Sequence, residues 1–184
     1  MNKTVIIHLA DGFEEIEAVS IIDVLRRAAI DIQVVSVTGN EEVSGSHGIT
    51  IKADILFEDI VYDDVEMIIL PGGMPGAKNL KKHEKLGEQI LRFHQQGKHL
   101  AAICAAPIVF GSLGILNNRK ATCYPGFEDQ LAGAQITGAA VEVSDNIITG
   151  KGAGVAIQFA LKIVEVLEGK ERADAIAKKM IAVT

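Results

Sequence analysis

The sequence predicts an α/β fold in which a mostly parallel sheet carries helices on both faces. Two observations predict it. Short apolar segments alternate along the chain with segments of helical periodicity. The apolar segments also lack the polar alternation of strands exposed on one face, as residues 4–9 illustrate. With 184 residues and no linker-like stretch, the chain is expected to form a single domain, residues 1–184.

Local patterns predict the elements in chain order. The first strand, residues 4–9, is followed by a helix over residues 14–29, where Ala18, Ile22 and Leu25 recur at helical spacing. A glycine-bearing connection then follows the second strand. The remaining predicted strands cover residues 32–37, 49–51, 66–70, 99–103, 120–123 and parts of 141–149, and the remaining helices cover 80–96, 107–116, 152–167 and 171–180.

Composition limits the classes of partner. A net charge of −6 argues against nucleic acid and anionic membranes, which bind basic surfaces. No apolar run approaches the roughly 20 residues of a membrane helix. The two cysteines, Cys104 and Cys123, make neither a disulfide framework nor a zinc site, and no other spacing of His, Cys and acidic residues indicates a metal ion. We therefore expect a protein of the reducing cytoplasm, with no metal.

Cys104 is the first candidate functional residue. It follows the apolar segment 99–103 and precedes Pro107, which is well placed in the first turn of a helix. The small residues Ala102 and Ala106 would let strand and helix pack closely, as in a nucleophile elbow. The positive end of the helix dipole is then expected to lower the pKa of the thiol. The local sequence leaves a buried structural cysteine as the alternative.

Acidic residues cluster where the first predicted strand ends and the first helix begins. Glu14, Glu15 and Glu17 complement a helix dipole, and Asp11 with Glu14 has the spacing of a capping box. Three acids exceed what a cap needs. One that turned inward would be desolvated, its pKa would rise, and it could act as a general acid or hydrogen-bond a thiolate.

Gly72 and Gly73 end the strand predicted at residues 66–70. They indicate either a plain turn or a loop whose backbone N–H groups approach a ligand oxygen. Because carboxyl ends of parallel strands lie at one edge of the sheet, this loop, the acidic loop and Cys104 are expected to converge there. His47, in the glycine-bearing connection, is the histidine that stays available as a base for a Cys-His pair.

Four segments together resemble the ThiJ/PfpI superfamily, with the closest similarity to its parkinsonism-associated deglycase (DJ-one) and YajL branch. They are residues 10–17 (ADGFEEIE), 70–73 (LPGG), 101–107 (AAICAAP) and 159–165 (FALKIVE). The resemblance runs over residues 3–169. It implies a flavodoxin-like three-layer sandwich, a homodimer and no cofactor.

Residue by residue, the resemblance implies roles for four positions. Cys104 matches the reactive cysteine of the family, and Glu17 matches the glutamate that hydrogen-bonds it. Gly72 and Gly73 match the loop whose backbone N–H groups line the pocket.

Three further positions depart from related branches. Ala105 stands where the protease-like branch has a histidine, so the resemblance does not imply a Cys-His peptidase. Tyr124 stands where the deglycase branch has a pocket histidine. His47 stands where that branch carries an arginine contributed by the partner subunit. The polar wall of the pocket is therefore expected to differ.

The activity implied is that of a cofactor-independent enzyme acting on small reactive dicarbonyls. A glutathione-independent glyoxalase would convert methylglyoxal to lactate, and a deglycase would repair glycated adducts. The alternative is an oxidative-stress sensor or redox-regulated chaperone in which Cys104 is oxidised and Cys123 acts as a resolving thiol. A binding module that retains the fold is the third hypothesis.

Overall fold

A computed structural model describes residues 4–182 and contains a central sheet of seven strands. In chain order the strands are β1 (Thr4–Leu9), β2 (Asp31–Ser36), β3 (Glu42–Ser44), β4 (Thr50–Lys52), β5 (Ile55–Leu56), β6 (Val65–Leu70), β7 (His99–Ile103), β8 (Lys120–Ala121), β9 (Gln135–Ile136), β10 (Val141–Ser144) and β11 (Ile147–Gly150). The central sheet has the order β10-β11-β7-β6-β1-β2-β5. Only β10 runs antiparallel to its neighbour in it. The pairs β3–β4 and β8–β9 form two small separate sheets.

Helices cover both faces of the central sheet. They are α1 (Glu15–Arg27), α2 (Gly76–Lys82), α3 (Glu84–Gln95), α4 (Pro107–Ser112), α5 (Ala156–Glu168) and α6 (Lys170–Met180). One apolar core includes residues of α1, α5 and α6, and the other includes residues of α2, α3 and α4. The prediction of a mostly parallel three-layer sandwich is confirmed. Within residues 4–182, no helix is both long enough and apolar enough to cross a membrane.

The central strand β1 shows why its sequence is apolar almost throughout. Val5, Ile7 and Leu9 pack into the core under α1 and α5, whereas Ile6 and Ala10 belong to the core on the opposite face. All five side chains are buried. A strand with helices on both sides leaves no position for a solvated side chain, because successive residues point to opposite covered faces.

Several predicted boundaries are wrong, each for a local reason. The single helix predicted at 80–96 is split into α2 and α3 by His83, which has extended backbone and whose Nδ1 accepts a hydrogen bond from the Leu86 N–H at 3.1 Å. α4 ends at Ser112, earlier than predicted. α5 begins at Ala156 after a short 3₁₀ turn. The two-residue strands β5 and β9 were too short to be predicted from periodicity.

The sheet order places the candidate residues at one edge. β1, β6 and β7 are parallel neighbours, so the three loops that follow them begin at the same edge of the sheet. The first two loops are joined directly: the Glu14 N–H donates to the Gly72 carbonyl at 2.9 Å, and the Gly76 N–H donates to the Gly12 carbonyl at 3.1 Å. The predicted convergence of the loops is therefore confirmed.

Candidate active site

Cys104 occupies a sharp turn between β7 and α4. Its φ is +64°, a left-handed conformation that is uncommon for any residue other than glycine. Both peptide groups of the turn are fixed, because the Cys104 N–H donates to the Gly150 carbonyl and the Cys104 carbonyl accepts from the Tyr124 N–H, each at 2.8 Å. Ala102 and Ala106 on either side are fully buried. A strained, firmly held residue at the sheet edge is typical of a functional position.

Glu17 lies in the first turn of α1 and is completely buried. Its Oε2 accepts a hydrogen bond from the Gly72 N–H at 2.7 Å. Within residues 4–182, its Oε1 has no hydrogen-bond partner, and the carboxyl group interacts with the side chain of Cys104. Burial raises the pKa of Glu17 to about 7, although the hydrogen bonds from Gly72 and Cys104 act in the opposite direction. This acid therefore holds a proton near neutral pH.

Two glycines allow this close approach. A Cβ at Gly72 would lie 2.6 Å from the Cβ of Cys104 and 2.7 Å from Oε2 of Glu17. Gly73 has a φ of +91°, and a Cβ there would lie 2.3 Å from the backbone nitrogen of Glu14. Any side chain at either position would push the three loops apart.

The structure contradicts the expectation that the helix dipole lowers the pKa of Cys104. Burial raises the pKa of the thiol to about 12, with the charge and hydrogen bond of Glu17 adding to the effect, while the N–H groups of Gly73 and Ala105 lower it. The helix that was expected to supply the dipole is only six residues long. Since the charge on Glu17 opposes a charge on the sulfur, the two groups titrate as a pair that keeps one shared proton above about pH 7.

Glu15 is also buried but has a different environment. One carboxylate oxygen accepts from the N–H groups of His47 and Ile49, at 2.6 and 3.3 Å. The other accepts from the Ser46 hydroxyl at 3.2 Å and lies 3.0 Å from Nδ1 of His47. Burial alone would raise the pKa of Glu15, yet these hydrogen bonds, with that from the His47 ring the strongest, hold it at about 2. Glu15 is thus a carboxylate that anchors the β3–β4 connection to α1.

His47 is 70% exposed, and the carboxylates of Glu14 and Glu15 raise its pKa through a hydrogen bond and their charges. The described groups that perturb Cys104 are Glu17 and the N–H groups of Gly73 and Ala105, with no histidine among them. The prediction of a pocket role for His47 through a partner subunit is not tested by one chain and stays a prediction.

The predicted capping box of Asp11 and Glu14 is wrong. Glu14 is the N-cap residue of α1 but makes no side-chain capping bond. The Asp11 carboxylate instead accepts a hydrogen bond from the Ser44 N–H at 3.0 Å. The tertiary contact with β3 therefore replaces the local one. Glu14 keeps an electrostatic role, since its charge contributes to the raised pKa of Glu17.

The spacing argument against a metal site does not hold at one place. Glu14, Glu15 and His47 bring potential ligand atoms within 4.8 Å of one another. No local spacing indicated this group, because His47 is 32 residues from Glu15. The oxygens of Glu15 already accept the hydrogen bonds described above, so the cluster has a structural explanation without an ion.

Tyr124 and Cys123 lie next to one another beyond the Cys104 turn. Tyr124 is 50% exposed. Cys123 is 4% exposed, and burial raises its pKa to about 11. Both cysteines are free thiols. A buried, protonated Cys123 offers no support for the predicted role as a resolving thiol, which stays a prediction.

These features define an α/β protein with a cysteine at a strand-to-helix elbow and a buried glutamate beside it. The profile of the DJ-1/PfpI family matches residues 3–166. The chain belongs to the DJ-1/PfpI family, as the resemblance of its four segments predicted.

Individual relatives agree with this assignment. The chain is 40% identical to DJ-1 homolog B of Arabidopsis thaliana over 182 residues, which are 98% of this chain but 42% of that protein. The chain therefore spans less than half of that relative's length. It is 35% identical over 169 residues to a Caenorhabditis elegans protein named glutathione-independent glyoxalase DJR-1.2, covering 91% of this chain and 89% of the relative.

A solved structure supports the same branch. The structure described as oxidized DJ-1 of Toxoplasma gondii superposes with a TM-score of 0.95 at 41% sequence identity. The match covers 99% of this chain and 100% of the other. The fold and its connectivity are those of DJ-1 proteins.

Proposed function

We propose that the protein is a cofactor-independent Cys/Glu enzyme that converts reactive α-oxoaldehydes to hydroxy acids, with methylglyoxal and lactate as the simplest pair. The observation that carries the proposal is the buried Glu17, whose carboxyl group interacts with the Cys104 side chain while the Gly72 N–H fixes Oε2. A carboxyl group with a pKa near 7 can both give and take protons at neutral pH. The name of the Caenorhabditis elegans relative supports the same chemistry.

The first step forms a bond between sulfur and carbon. The one proton of the pair resides on Glu17 in the reactive form, which leaves Cys104 as a thiolate beside the N–H groups of Gly73 and Ala105. The thiolate adds to the aldehyde carbon, and the carbonyl electron pair moves to oxygen, which takes the proton of Glu17. The product is a hemithioacetal. Because the Gly72 N–H already donates to Glu17, the proposal assigns oxyanion stabilisation to Gly73 and Ala105.

The second step moves a proton between two carbons. The Glu17 carboxylate removes the proton from the carbon attached to sulfur and returns it to the neighbouring ketone carbon, while the hydroxyl proton of the hemithioacetal passes to the ketone oxygen. The first carbon is thereby oxidised and the second reduced, so no external electron carrier is needed. Water then attacks the resulting thioester, its carbon–sulfur bond breaks, and Cys104 leaves as a thiolate with release of the hydroxy acid.

We further propose a homodimer formed through the surface around α1. Ile16 and Val19 on α1 and Ile49 in the neighbouring connection are about half exposed or more, at 59%, 49% and 57%. A cavity of about 310 Å³ lies beside Val19, and its lining combines apolar residues with charged ones: Ile22, Val34, Ile51, Asp23, Arg26, Lys52 and Asp54. A second copy on this apolar surface would also bring its own His47 region towards the sheet edge. Sedimentation velocity would measure the assembly state.

The test of the proposed function is methylglyoxal consumption without glutathione, with lactate measured as product. We expect saturable turnover by the wild-type protein and its loss in Cys104→Ser. Cys123→Ser is the matched control, because it removes the other thiol by the same substitution and should retain turnover. Slow, non-saturable loss of methylglyoxal that is equal in wild type and Cys104→Ser would contradict the proposal.

A redox-sensing or redox-regulated chaperone role is the second candidate, and it is favoured by the similarity to a DJ-1 structure described as oxidized. In this role peroxide transfers an oxygen atom to the Cys104 thiolate and leaves as water, and a second equivalent yields a sulfinate. Intact mass measured after mild peroxide should then show oxygen addition at Cys104 before Cys123. Equal oxidation of both thiols would contradict a sensing role.

A further inference from the structure

Tyr124 is joined through its backbone to the residue that carries the nucleophile, and its side chain is not used in the chemistry above. Its backbone N–H donates to the carbonyl of Cys104, and this hydrogen bond holds the backbone of Tyr124 close to that of Cys104. The N–H of Cys104 in turn donates to the carbonyl of Gly150 at the end of β11. Tyr124 therefore holds a defined position at the edge of the sheet where a substrate must approach Cys104.

The ring of Tyr124 is supported on one side and open on the other. A Cβ at Gly152 would lie 3.3 Å from Cδ2 of Tyr124 and 3.9 Å from Cε2, so the ring packs over the backbone of this glycine. The Phe127 ring supports it edge-on, with centroids 6.4 Å apart and planes inclined at 68°. Half of the residue is still exposed. None of the described hydrogen bonds involves its hydroxyl group, so what it offers a ligand is chiefly an aromatic surface.

Two residues close to Gly152 in the chain, Gly154 and Lys151, bear on how crowded this region is. A Cβ at Gly154, in the short turn that precedes α5, would have no neighbour within 4 Å. The nearby Lys151 side chain is engaged elsewhere, since its Nζ donates to the Gly138 carbonyl at 3.1 Å. Neither position shows a side chain that covers the exposed half of Tyr124.

We propose that Tyr124 is a specificity-determining residue and that its ring favours α-oxoaldehydes with an aryl substituent, such as phenylglyoxal, over methylglyoxal. The inference rests on the proposed dicarbonyl chemistry for its natural substrate class. The contact between the Tyr124 ring and an aryl group, called the aromatic wall below, can be tested separately. An aromatic ring stacked offset or edge-on against Tyr124 gains a contact that a methyl group lacks. A contact of ordinary strength corresponds to a preference of roughly 2- to 10-fold.

The experiment uses two α-chloroketones with the same reactive group, phenacyl chloride and chloroacetone, which differ in carrying a phenyl or a methyl substituent. In each, the Cys104 sulfur attacks the CH₂ carbon, a carbon–sulfur bond forms, the carbon–chlorine bond breaks and chloride leaves with the electron pair. Alkylation of Cys104 is followed by mass spectrometry with peptide mapping, which separates it from Cys123. The aryl-to-methyl ratio of rates in Tyr124→Leu gives the intrinsic reactivity difference of the two reagents, against which wild type is compared.

We expect the ratio to be roughly 2- to 10-fold higher in wild type than in Tyr124→Leu. Tyr124→Phe keeps the ring and loses the hydroxyl, and should keep the wild-type ratio. Equal ratios in wild type and Tyr124→Leu would overturn the proposal, as would a Tyr124→Phe ratio equal to that of Tyr124→Leu. A general disturbance of the site slows both reagents alike. The aryl-to-methyl ratio of alkylation rates therefore measures the contribution of the aromatic wall alone.

The same variants are then assayed for kcat/KM with phenylglyoxal and methylglyoxal, whose products would be mandelate and lactate. If the alkylation ratio and the kcat/KM ratio change in parallel among the variants, both the aromatic wall and the proposed dicarbonyl chemistry are supported. Preserved aryl preference in alkylation with no turnover of either dicarbonyl would contradict the proposed enzyme while leaving the aromatic wall supported. If the dicarbonyls are turned over but neither assay shows an aryl preference, only the aromatic wall is contradicted and the proposed enzyme is not.

Discussion

Glu15 and Glu17 lie in the same turn of one helix, are both buried, and have opposite pKa shifts. Glu15 receives hydrogen bonds from the 46–49 segment on both of its oxygens, which hold its pKa at about 2. Glu17 receives one backbone hydrogen bond, from Gly72, and burial raises its pKa to about 7. The number of donors facing each carboxylate, more than burial itself, therefore separates a carboxylate that stays ionised from one that takes up a proton near neutral pH.

The acidic residues at this edge also make different contacts with the neighbouring loops. Ionised Glu15 fixes the β3–β4 connection to α1, and the N–H of neighbouring Glu14 fixes the loop that contains Gly72. That loop in turn supplies the hydrogen bond that orients Glu17 toward Cys104.

The largest expected effect separates the two acids by activity. Glu17→Gln should lower kcat/KM for methylglyoxal by about 10²- to 10⁴-fold, because it removes the proton carrier while keeping its shape. Glu15→Gln, a change of the same kind two residues earlier, should lower it far less in protein that remains folded. Steady-state kinetics with lactate detection measures both. Similar losses in the two variants would break the distinction between a structural and a catalytic acid.

The close approach of the loops predicts the next effect. Gly72→Ala would place a Cβ in contact with both Cys104 and Glu17, so we expect at least a roughly tenfold loss of kcat/KM. Gly87→Ala is the matched control, because a Cβ there meets only a Leu113 methyl group at 3.6 Å. The control should be neutral or stabilised by about 0.5–1 kcal/mol, since glycine is unfavourable inside a helix. Wild-type activity of Gly72→Ala would show that the packing around Cys104 tolerates a wider site.

Stability should depend on pH in opposite directions for the two acids. The folded pKa of Glu17 is raised, so its contribution is present below its ordinary pKa of 4.5 and is lost as the pH rises through about 7. Relative to Glu17→Gln, the free energy of unfolding of wild type should therefore fall by about 3 kcal/mol between pH 4.5 and alkaline pH.

The folded pKa of Glu15 is lowered, so its contribution is present above 4.5 and is lost as the pH falls through about 2. Glu15→Gln should cost about 1–2 kcal/mol at neutral pH, after allowance for solvent screening beneath the exposed His47. Urea unfolding of wild type and both variants across pH tests this pair of trends. Two profiles that change in the same direction would contradict the assignment of opposite environments.

The sequence was sufficient for the parts of the site that depend on strand order. Cys104 after a buried strand, Gly72 after another and the acids after the first are placed together by any parallel sheet of this order. Periodicity could not reveal that His83 splits one helix in two, because this break depends on a side-chain cap.

The electrostatics of the site could not be predicted from local sequence. The thiol of Cys104 was expected to have a lowered pKa from its helix, but burial and the charge of Glu17 raise it. The partners of Glu15 are more than thirty residues away in the chain, so nothing near it indicated which of the three acids would stay ionised. Desolvation and tertiary hydrogen bonds, which decide both pKa values, exist only in the folded protein.

The most direct test of the account is the pH dependence of Cys104 alkylation by iodoacetamide in wild type and Glu17→Gln. If Glu17 accepts the proton of the thiol, the wild-type rate should rise with a midpoint near pH 7. In Glu17→Gln the buried thiol must lose its proton to solvent, so the midpoint should lie at higher pH. A lower midpoint in Glu17→Gln would contradict the account, because Glu17 would then act only as a negative charge that suppresses the thiolate.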